Sequence, residues 1–420
     1  MNIPLRPFCT AAALAAVMFS TQSVFANAGP RPPRPAAAAK PAVVLPADLV
    51  VQADLSLAKG AAFLLAKQAP DGSWMASPAI TALNSLALAY SPDAAKPEVR
   101  AAINRGLDAV IKNAQPDGSI FNKENEEYPN YSTAISTIAL ALLNRPQDQK
   151  VLRAARAFLL GSQFKDAAAA DGSFGGIGYG KEKRPDLSNT QWGLEALYLT
   201  EHLDKDTGTQ NQAKAKEGDL AWDRALQFLS TCQNLKETNT QVWVAADPDN
   251  RGGFVYMPGQ SKAGKLTKDG KASPSDLKAS EDGDSLRSYG SMTYAGLKSM
   301  IYAKLSKDDP RVKAAADWAA RHYTFDENPG MKDSGLFYYL HTSAKALAAL
   351  GEENLTLPDG SRRAWRQDLL KSLIAKQRPG GEWQNANARW WESAPELVTG
   401  YSMIALGVTL DRTPASPAGK

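Results

Sequence analysis

The sequence predicts an all-α protein in which six helix-turn-helix repeats close into an (α/α)6 toroid. Three observations lead to this fold class. A helical segment that ends in Gln is followed by a Pro/Asp/Gly turn and an aromatic residue, and this unit recurs six times, once in a degenerate form. Each turn is followed by a second helical segment that is almost free of charge. Neither end of the array has the polar capping repeat that an open solenoid needs, which favours a closed ring.

Length and composition exclude several classes of protein. The chain has 420 residues, of which 44% are hydrophobic and 22% charged, so it can bury a large core and is neither a disordered polymer nor a multi-span membrane protein. Its 48 Lys and Arg and 44 Asp and Glu give a net charge of +4 without a basic stripe, and nucleic acid is therefore not expected as a partner. Two cysteines and three histidines are too few for a disulfide framework or a His-based metal cage.

The first element of the chain is a signal peptide, predicted at residues 1–28. Arg6 precedes an apolar run at 11–19, and small residues follow with the spacing that signal peptidase requires. The apolar run is much shorter than the ~20 residues of a membrane-spanning helix. We therefore expect an exported protein, periplasmic or secreted, with no transmembrane segment.

A linker rich in Pro and Ala is predicted at 29–49. Removal of the signal peptide takes Cys9 with it and leaves Cys232 as the only cysteine, so no internal disulfide is expected in the mature chain. The toroid is predicted at 50–410, and residues 411–420 are predicted to be a disordered tail.

The two helices of each repeat differ in their residue pattern. In the first helix of a pair, apolar residues are spaced as in a helix with one solvated face, for example Ile103, Leu107, Val110 and Ile111. In the second helix, small and apolar residues cover all sides, which indicates burial on most faces. The first helices should therefore lie on the outside of the ring and the second helices on the inside. The second helices are predicted at 78–89, 131–143, 187–199, 289–303, 338–350 and 396–408.

The first repeat carries a specific resemblance. Its unit Lys-Gly-x-x-Phe-Leu-x3-Gln-x3-Gly-Ser-Trp at 59–74 matches the Gln-Trp repeat of squalene cyclases, and Gln-x3-Gly-Glu-Trp at 377–383 matches its second half. The chain therefore resembles the terpenoid cyclase and protein prenyltransferase toroid family, as a single toroid. The resemblance implies a small hydrophobic, isoprenoid-like ligand. The Gln and Trp side chains are expected to be scaffold, because Gln can bond orphan carbonyls at a helix end and the aromatic ring can pack on the next repeat.

Squalene cyclases protonate an alkene with the middle acid of an Asp-x-Asp-Asp-Thr-Ala segment, and residues 186–191 (Asp-Leu-Ser-Asn-Thr-Gln) resemble that segment. Only Asp186 and Thr190 match, and Ser188 stands where the proton donor would be. A hydroxyl is far too weak an acid for that step, so the usual cyclisation is not expected. Asp186 and Asn189 remain catalytic candidates. The competing interpretation is that Asp186 is the N-cap of the helix that follows it.

A second segment, 338–342, resembles the His-bearing segment of protein prenyltransferase β subunits, which hold zinc with Asp, Cys and His. The corresponding stretch before the fourth inner helix, 284–292, has an acid but no thiolate. One His and scattered carboxylates cannot hold zinc, so neither a metal nor a cofactor is expected. His341 is still a catalytic candidate, because His changes its charge near neutral pH. The competing interpretation is a hydrogen-bonded structural His.

An unusually long polar insertion is predicted at 234–288. A loop of this length is usually a functional lid or a disordered segment, and the sequence leaves both open. Its residues Asp282 and Asp284 are alternative catalytic acids. A calcium loop at 247–250 is not expected, because Arg251 occupies the next ligand position.

Aromatic residues near the inner-helix starts are the candidates for ligand binding. Trp390 and Trp391 lie before the last inner helix, beside acids, where their rings could stabilise a carbocation, stack on a sugar or close the toroid. The ligand-binding candidates are Trp192, Tyr289, Tyr294, Tyr338, Trp390, Trp391 and Glu396.

Three functions are left open by the sequence. The first is isoprenoid handling or binding, which needs a deep apolar cavity and would be disfavoured by a Glu195 side chain that points inward. The second is a periplasmic carbohydrate-active enzyme, since α/α toroids also host glycosidases and lyases with paired carboxylates at the ring mouth. The third is a non-catalytic module whose rim binds another exported protein.

Overall fold

The computed structural model describes residues 43–124, 128–165, 172–180, 184–204, 211–245, 247–266, 272–273, 277–278 and 285–417. The predicted signal peptide lies outside these residues, as does the linker up to residue 42. Asp282 and Asp284 also lie outside them. The described residues fall within one compact unit.

Twelve α-helices make up most of the described chain. Their bounds are α1 Ala47–Lys67, α2 Pro78–Ala89, α3 Pro97–Lys112, α4 Pro129–Leu143, α5 Gln149–Gly161, α6 Leu187–Leu199, α7 Asn211–Cys232, α8 Gly290–Tyr302, α9 Pro310–Arg321, α10 Leu336–Leu350, α11 Trp365–Ala375 and α12 Pro395–Thr409. Short 3-10 helices lie at Pro146–Asp148, Glu201–Asp204 and Arg389–Trp391.

Short antiparallel strands lie in two of the connections. The strands are β1 Gln260–Ser261, β2 Lys265–Leu266, β3 Ala272–Ser273, β4 Leu277–Lys278, β5 Ser285–Leu286, β6 Leu355–Thr356 and β7 Arg362–Arg363. β1 pairs with β4, and β2 lies between β3 and β5, so the insertion before α8 is built on small sheets. β6 and β7 form a hairpin before α11.

The even-numbered helices form the inner ring. Helices α2, α4, α6, α8 and α10 contact one another in chain order, and α12 contacts both α10 and α2, which closes the ring. The odd-numbered helices pack around them, and α1 contacts α11 and α12, so the first and last pairs meet. The all-α toroid predicted from the sequence is confirmed.

Burial separates the inner from the outer helices. All twelve residues of α2 are buried. In contrast, α3 buries one face, which includes Ile103, Leu107 and Val110. A helix that is apolar on every side is stable where neighbours surround it, and a one-sided helix is stable at the periphery. The difference in residue pattern therefore places each helix in its layer.

The Gln at the end of an outer helix joins its own turn to the next outer helix. The Nε2 of Gln68 donates to the carbonyl oxygens of Gly72 and Ala102, both at 2.9 Å. Gln163 and Gln233 make the same two kinds of bond. One amide group thus bonds both the turn of its own repeat and a carbonyl of the next outer helix, which explains why this residue type recurs at this position.

The Trp of the turn packs on a glycine of the next outer helix. Trp74 Nε1 donates to the carbonyl of Leu64 at 2.9 Å, and a Cβ atom on Gly106 would lie 3.1 Å from the Trp74 ring. The ring of Trp383 occupies the same place against Gly60. The Gly60 of the repeat motif is therefore needed because the Trp ring of the preceding repeat in the closed ring leaves no room for a side chain.

The glycine of the turn is required by its backbone. Gly72 has a φ of 90°, and a Cβ atom there would lie 2.4 Å from the carbonyl oxygen of Arg105. Gly381 has a φ of 94° and meets the carbonyl of Lys59 in the same way, at 2.5 Å. The turn fits against the next outer helix only without a side chain.

The last Gln closes the ring. Gln377 Nε2 donates to the carbonyl oxygens of Gly381, at 2.8 Å, and of Ser56 in α1, at 2.9 Å. We expect Gln377→Ala to lower the free energy of unfolding by about 1–3 kcal/mol, because two partly buried hydrogen bonds that join the last turn to α1 are lost. Urea denaturation measures this, with the exposed Gln52→Ala of α1 as the control. Equal stability of the two variants would contradict the proposed closure.

Helix α1 is long and apolar enough, by length and composition, to cross a membrane. Its buried residues, among them Leu49, Leu57 and Leu64, pack into the main hydrophobic core. Packing in the ring therefore explains the apolar residues on one side of α1, whereas Val51 and Leu55 are exposed.

The tail that the sequence predicts to be disordered is held against the ring as far as residue 417. The backbone N–H of Ala415 donates to the carbonyl of Ala89 at 2.9 Å, and Ser416 Oγ donates to the carbonyl of Leu143 at 2.8 Å. These carbonyls end α2 and α4, where no intrahelical donor is present. The tail supplies the missing donors.

Candidate functional site

The inner helices begin at one end of the ring, because an outer helix returns the chain between successive inner helices. We call this end the mouth. Asp186 is the N-cap of α6 there: Oδ1 accepts from the backbone N–H of Asn189 at 2.9 Å, and Oδ2 accepts from Asn189 Nδ2 at 2.7 Å. The capping interpretation of Asp186 is therefore correct, and the two candidates Asp186 and Asn189 lie together.

Asp186 is an acid with a pKa near neutrality. Its side chain is about 1% exposed, and this burial raises its pKa to about 6, although the hydrogen bonds from Asn189 act in the opposite direction. Such a group exchanges a proton in the pH range of most enzymes. The capping role and an acid–base role are compatible.

Two tyrosines surround Asp186. Burial and then the negative charge of Asp186 raise the pKa of Tyr179 to about 12, and the same causes raise the pKa of Tyr256. The backbone N–H of Leu187 donates to the carbonyl of Tyr256 at 2.8 Å. Since Tyr256 belongs to the 234–288 insertion, the described part of that insertion contacts the start of α6 beside Asp186.

Tyr338 links two inner helices across the mouth. Its hydroxyl lies 3.1 Å from Ser188 Oγ and accepts from Gln191 Nε2 at 3.1 Å, and both of these residues belong to α6. Its backbone N–H donates to Glu392 Oε1 at 2.8 Å. Helices α6 and α10 are separated by α8 in the ring, so these bonds cross the opening rather than join neighbours.

Glu392 is not among the site residues that the sequence predicts. It is buried, and Asn385 Nδ2 donates to its Oε2 at 2.7 Å. Burial raises its pKa to about 7, against the effect of Asn385 and of the N–H groups that begin α10. A carboxylate at a helix N-terminus is stabilised by the helix dipole. We interpret Glu392 as the residue that positions α10, and with it Tyr338.

His341 lies deeper than Asp186, in a stack of rings. It is 5.4 Å from Trp192 and 5.2 Å from Tyr401, measured between ring centroids, with interplanar angles of 25° and 26°. Among the described residues, neither ring nitrogen has a hydrogen-bond partner. Burial, and then the charges of Lys345 and Lys298, hold its pKa well below the usual range.

Burial between Trp192 and Tyr401 disfavours the charged form of His341 and lowers its pKa. The described residues supply none of the hydrogen bonds that the competing structural interpretation expects. A catalytic role of His341 stays a prediction.

A buried ion cluster fills the ring below this stack. Glu195 points inward, where Lys298 Nζ donates to it at 2.6 Å and Lys345 Nζ donates to its other oxygen. Both ammonium groups also lie 5.4 Å from the ring of Trp192. Burial alone would raise the pKa of Glu195, but the two lysines hold it at about 2. The inside of the ring is charged at this depth and not uniformly apolar.

The remaining ligand-binding candidates divide by exposure. Tyr289 and Tyr294 are buried, and Tyr294 packs 5.7 Å from Tyr339, so they belong to the core. Trp390 and Trp391 are 42% and 65% exposed. Glu396 is half-buried in the first turn of α12 and makes none of the contacts described above. Trp192 lies in the ring stack and Tyr338 at the mouth.

Within the described ranges, no cluster of three or more His, Cys, Asp or Glu side chains could hold a metal ion.

Trp383 precedes Trp390 and Trp391 in the chain but is fully buried. Its Nε1 donates to the carbonyl of Leu373 at 2.8 Å, so it belongs to the scaffold.

Comparison with solved structures supports the toroid fold. No family model and no curated protein matches the chain. An inactive variant of the α-1,6-mannanase GH76A of Salegentibacter sp. HEL1_6, in complex with α-1,6-mannotriose, is 11% identical over 86% of this chain and 100% of its own, with a TM-score of 0.50. The type II terpene cyclase MstE from Scytonema, in its apo form, is 13% identical over 86% of this chain and 99% of its own, with a TM-score of 0.48.

The likeness is one of fold. At this level of identity the mannanase supports an α/α toroid architecture and carries no information about the ligand of this chain. The Gln and Trp contacts of the repeats likewise belong to the scaffold.

Proposed function

We propose that the protein is an exported carbohydrate-active toroid whose site is the mouth of the ring and whose acid–base group is Asp186. The observation that carries this proposal is the contrast between the ring interior and its mouth. Glu195, Lys298 and Trp192 are each no more than 2% exposed, which leaves little water-sized space beside them. An isoprenoid chain would need an apolar cavity at this depth.

The mouth offers groups that suit a sugar. Ser188 and Tyr338 are partly exposed hydroxyls, and Tyr128 and Tyr179 present aromatic faces 4.4 Å apart between ring centroids. Sugars expose hydroxyls that pair with such polar groups and C–H faces that stack on aromatic rings. A polar ligand with apolar faces therefore fits these groups better than a hydrocarbon does.

Asp186 supplies the proton-transfer chemistry in this proposal. In its protonated form it donates its proton to the oxygen of a glycosidic bond while the bond from that oxygen to the anomeric carbon breaks. Water then adds to the anomeric carbon and returns a proton to the Asp186 carboxylate, so the enzyme is unchanged and one water is consumed. The nearly complete burial of Asp186 requires that the adjoining segment of the insertion, with Tyr256, moves to admit the ligand.

One experiment separates the candidate functions. The purified mature protein is incubated with cello-, chito-, manno-, xylo- and laminari-oligosaccharides, and in parallel with squalene and prenyl diphosphates, and all products are analysed by mass spectrometry. We expect binding or cleavage of at least one oligosaccharide series and no cyclised product. An isoprenoid that co-purifies with the protein, or a cyclic product without any glycan binding, would overturn the proposal in favour of the isoprenoid hypothesis.

A further inference from the structure

Exposed apolar side chains are concentrated on one arc of the mouth. The structure describes eight exposed large apolar residues, and four of them lie in segments that lead into α2, α4 or α12. These helices are consecutive in the ring, because α12 contacts α2 and α2 contacts α4. The four residues, which we call the rim arc, are Met75, Tyr128, Trp390 and Trp391.

Three members of the rim arc have an unusual backbone. Trp390, Trp391 and Met75 have φ angles of 55°, 65° and 55°, in the left-handed region that bulky residues rarely adopt. Such conformations persist where the surrounding structure imposes them, and they are concentrated at ligand-binding sites. Trp390 packs in part against Gly335 and Arg389, whereas Trp391 is 65% exposed, so this backbone presents the Trp391 ring to solvent.

The loop that carries the two tryptophans is anchored to the proposed site. Asn387 Nδ2 donates to Ser334 Oγ at 3.0 Å, and a Cβ atom on Gly335 would lie 2.9 Å from the Trp390 ring. Glu392, the next residue after Trp391, accepts from the backbone N–H of Tyr338. The rim arc and the mouth are therefore parts of one continuous surface.

A polar pocket interrupts the rim arc between α2 and α4. Its volume is about 340 Å³, and its lining includes Asp71, Lys112, Asn113 and Asn122 beside Phe121. Asn122 Nδ2 also donates to the carbonyl of Ala76 at 2.9 Å, which ties this pocket to the Met75 turn. Asp71, Asn113 and Asn122 already bond within the chain, and each keeps the capacity for a further hydrogen bond that a purely apolar occupant would not use. Aromatic faces next to hydrogen-bonding groups match a chain of sugar rings.

We propose that the rim arc binds consecutive units of a carbohydrate chain, so that the ligand is an oligosaccharide or polysaccharide and not a single sugar. This inference rests on the proposed function and extends it to ligand length. Trp391 and Trp390 stack on sugar units outside the mouth, and the pocket receives the hydroxyls of a neighbouring unit.

Affinity as a function of chain length tests this inference. For the oligosaccharide series that binds, calorimetry on the dimer through the hexamer should show affinity that rises with length. Trp391→Ala should weaken binding of the hexamer by about 3- to 10-fold, the effect of losing one aromatic stacking contact, and should remove most of the gain with length. Val51→Ala, at an exposed apolar position on the outer helix α1, is the control and should bind the hexamer like the unmodified protein.

Failure of the inference can be told apart from failure of the proposed function. Affinity that does not depend on length, or a Trp391→Ala protein that binds the hexamer normally, would contradict sugar binding at the rim arc. The proposed site at the mouth would not be affected by that result. Absence of binding to every oligosaccharide would overturn both. Binding to vesicles of phosphatidylethanolamine and phosphatidylglycerol that is lost in Trp391→Ala, without sugar binding, would identify a membrane-contacting surface instead. Circular dichroism of each variant verifies that it is folded.

Discussion

Replacing Glu195 with Gln is expected to lower the free energy of unfolding by about 3–5 kcal/mol. The carboxylate of Glu195 is the partner of two ammonium groups, those of Lys298 and Lys345, in a place where all three side chains are at most 7% exposed. Without the negative charge, two like charges face each other away from water. Removing one partner of a buried ion cluster is costly because the remaining charges stay desolvated.

The pH dependence gives this prediction a second readout. The pKa of Glu195 is about 2 in the folded protein, against an ordinary value of 4.5. Its ionised form therefore stabilises the fold above pH 4.5, and this contribution is lost as the pH falls from 4.5 towards 2. The stability difference between the unmodified protein and Glu195→Gln should be full at pH 6 and should shrink across that interval. Thermal unfolding between pH 2.5 and 7 measures it.

The matched control is a similar pair at the surface. Glu201 and Lys304 are joined at 2.6 Å and are 27% and 30% exposed. Exposed pairs contribute about 0–1 kcal/mol, so Glu201→Gln should have a small effect that salt reduces further. If Glu195→Gln were no more destabilising than Glu201→Gln, the ring interior would have to be hydrated, and the argument against an axial apolar cavity would lose its main support.

The fold could be predicted because its determinants are local and repeated. The same contacts recur in the first and last repeats: they are made by Gln68 and Gln377 and by Trp74 and Trp383. The spacing of these residues in one repeat therefore identifies the other repeats. The uncharged character of helices such as α2 similarly indicates burial without knowledge of what surrounds them. Local pattern was sufficient for these elements.

The ion cluster could not be predicted in the same way. The sequence leaves open whether Glu195 faces inward, and its partners come from α8 and α10, 103 and 150 residues further along the chain. Lys298 and Lys345 were available as a signal, since each is a charge within an otherwise uncharged inner helix. Which of them meet depends on the closure of the ring. The surroundings of His341 could not be predicted for a related reason, because Trp192 and Tyr401 lie on helices that are distant from it in sequence.

The second large effect is expected at Asp186, where the substitution Asp186→Asn should separate stability from activity. Asn is as good an N-cap as Asp, so α6 keeps its cap. The amide of residue 186 also finds an acceptor, because Oδ1 of Asn189 has no hydrogen-bond partner among the described residues and its amide group can turn over. What is removed is the proton that the mechanism transfers. Loss of a general acid typically lowers the rate by about 10²- to 10⁴-fold.

The stability of Asp186→Asn should rise at neutral and alkaline pH, although its activity falls. Because burial raises the pKa of Asp186 from 3.8 to about 6, the folded state holds the proton more tightly than the unfolded state. Ionisation of this group therefore opposes folding; the opposition is absent below pH 3.8, grows up to pH 6 and is constant above it. Asp186→Asn should consequently be more stable than the unmodified protein at pH 8, by about 1–3 kcal/mol, and equally stable at pH 3.5.

Comparison with Asp309 decides between a site acid and an ordinary cap. Asp309 caps α9 on the outside of the ring and is paired with Arg311, which contributes to a lowered pKa. Asp309→Asn should lose some stability at pH 8 and retain full activity towards the oligosaccharide identified in the screen. If Asp186→Asn behaved in the same way, with stability lost and turnover intact, Asp186 would be a cap only. If Asp186 is a site acid, Asp186→Asn should be more stable than the unmodified protein and should no longer turn over substrate. Burial of the carboxyl group destabilises the fold, and the capping role alone does not explain why this residue is Asp and not Asn.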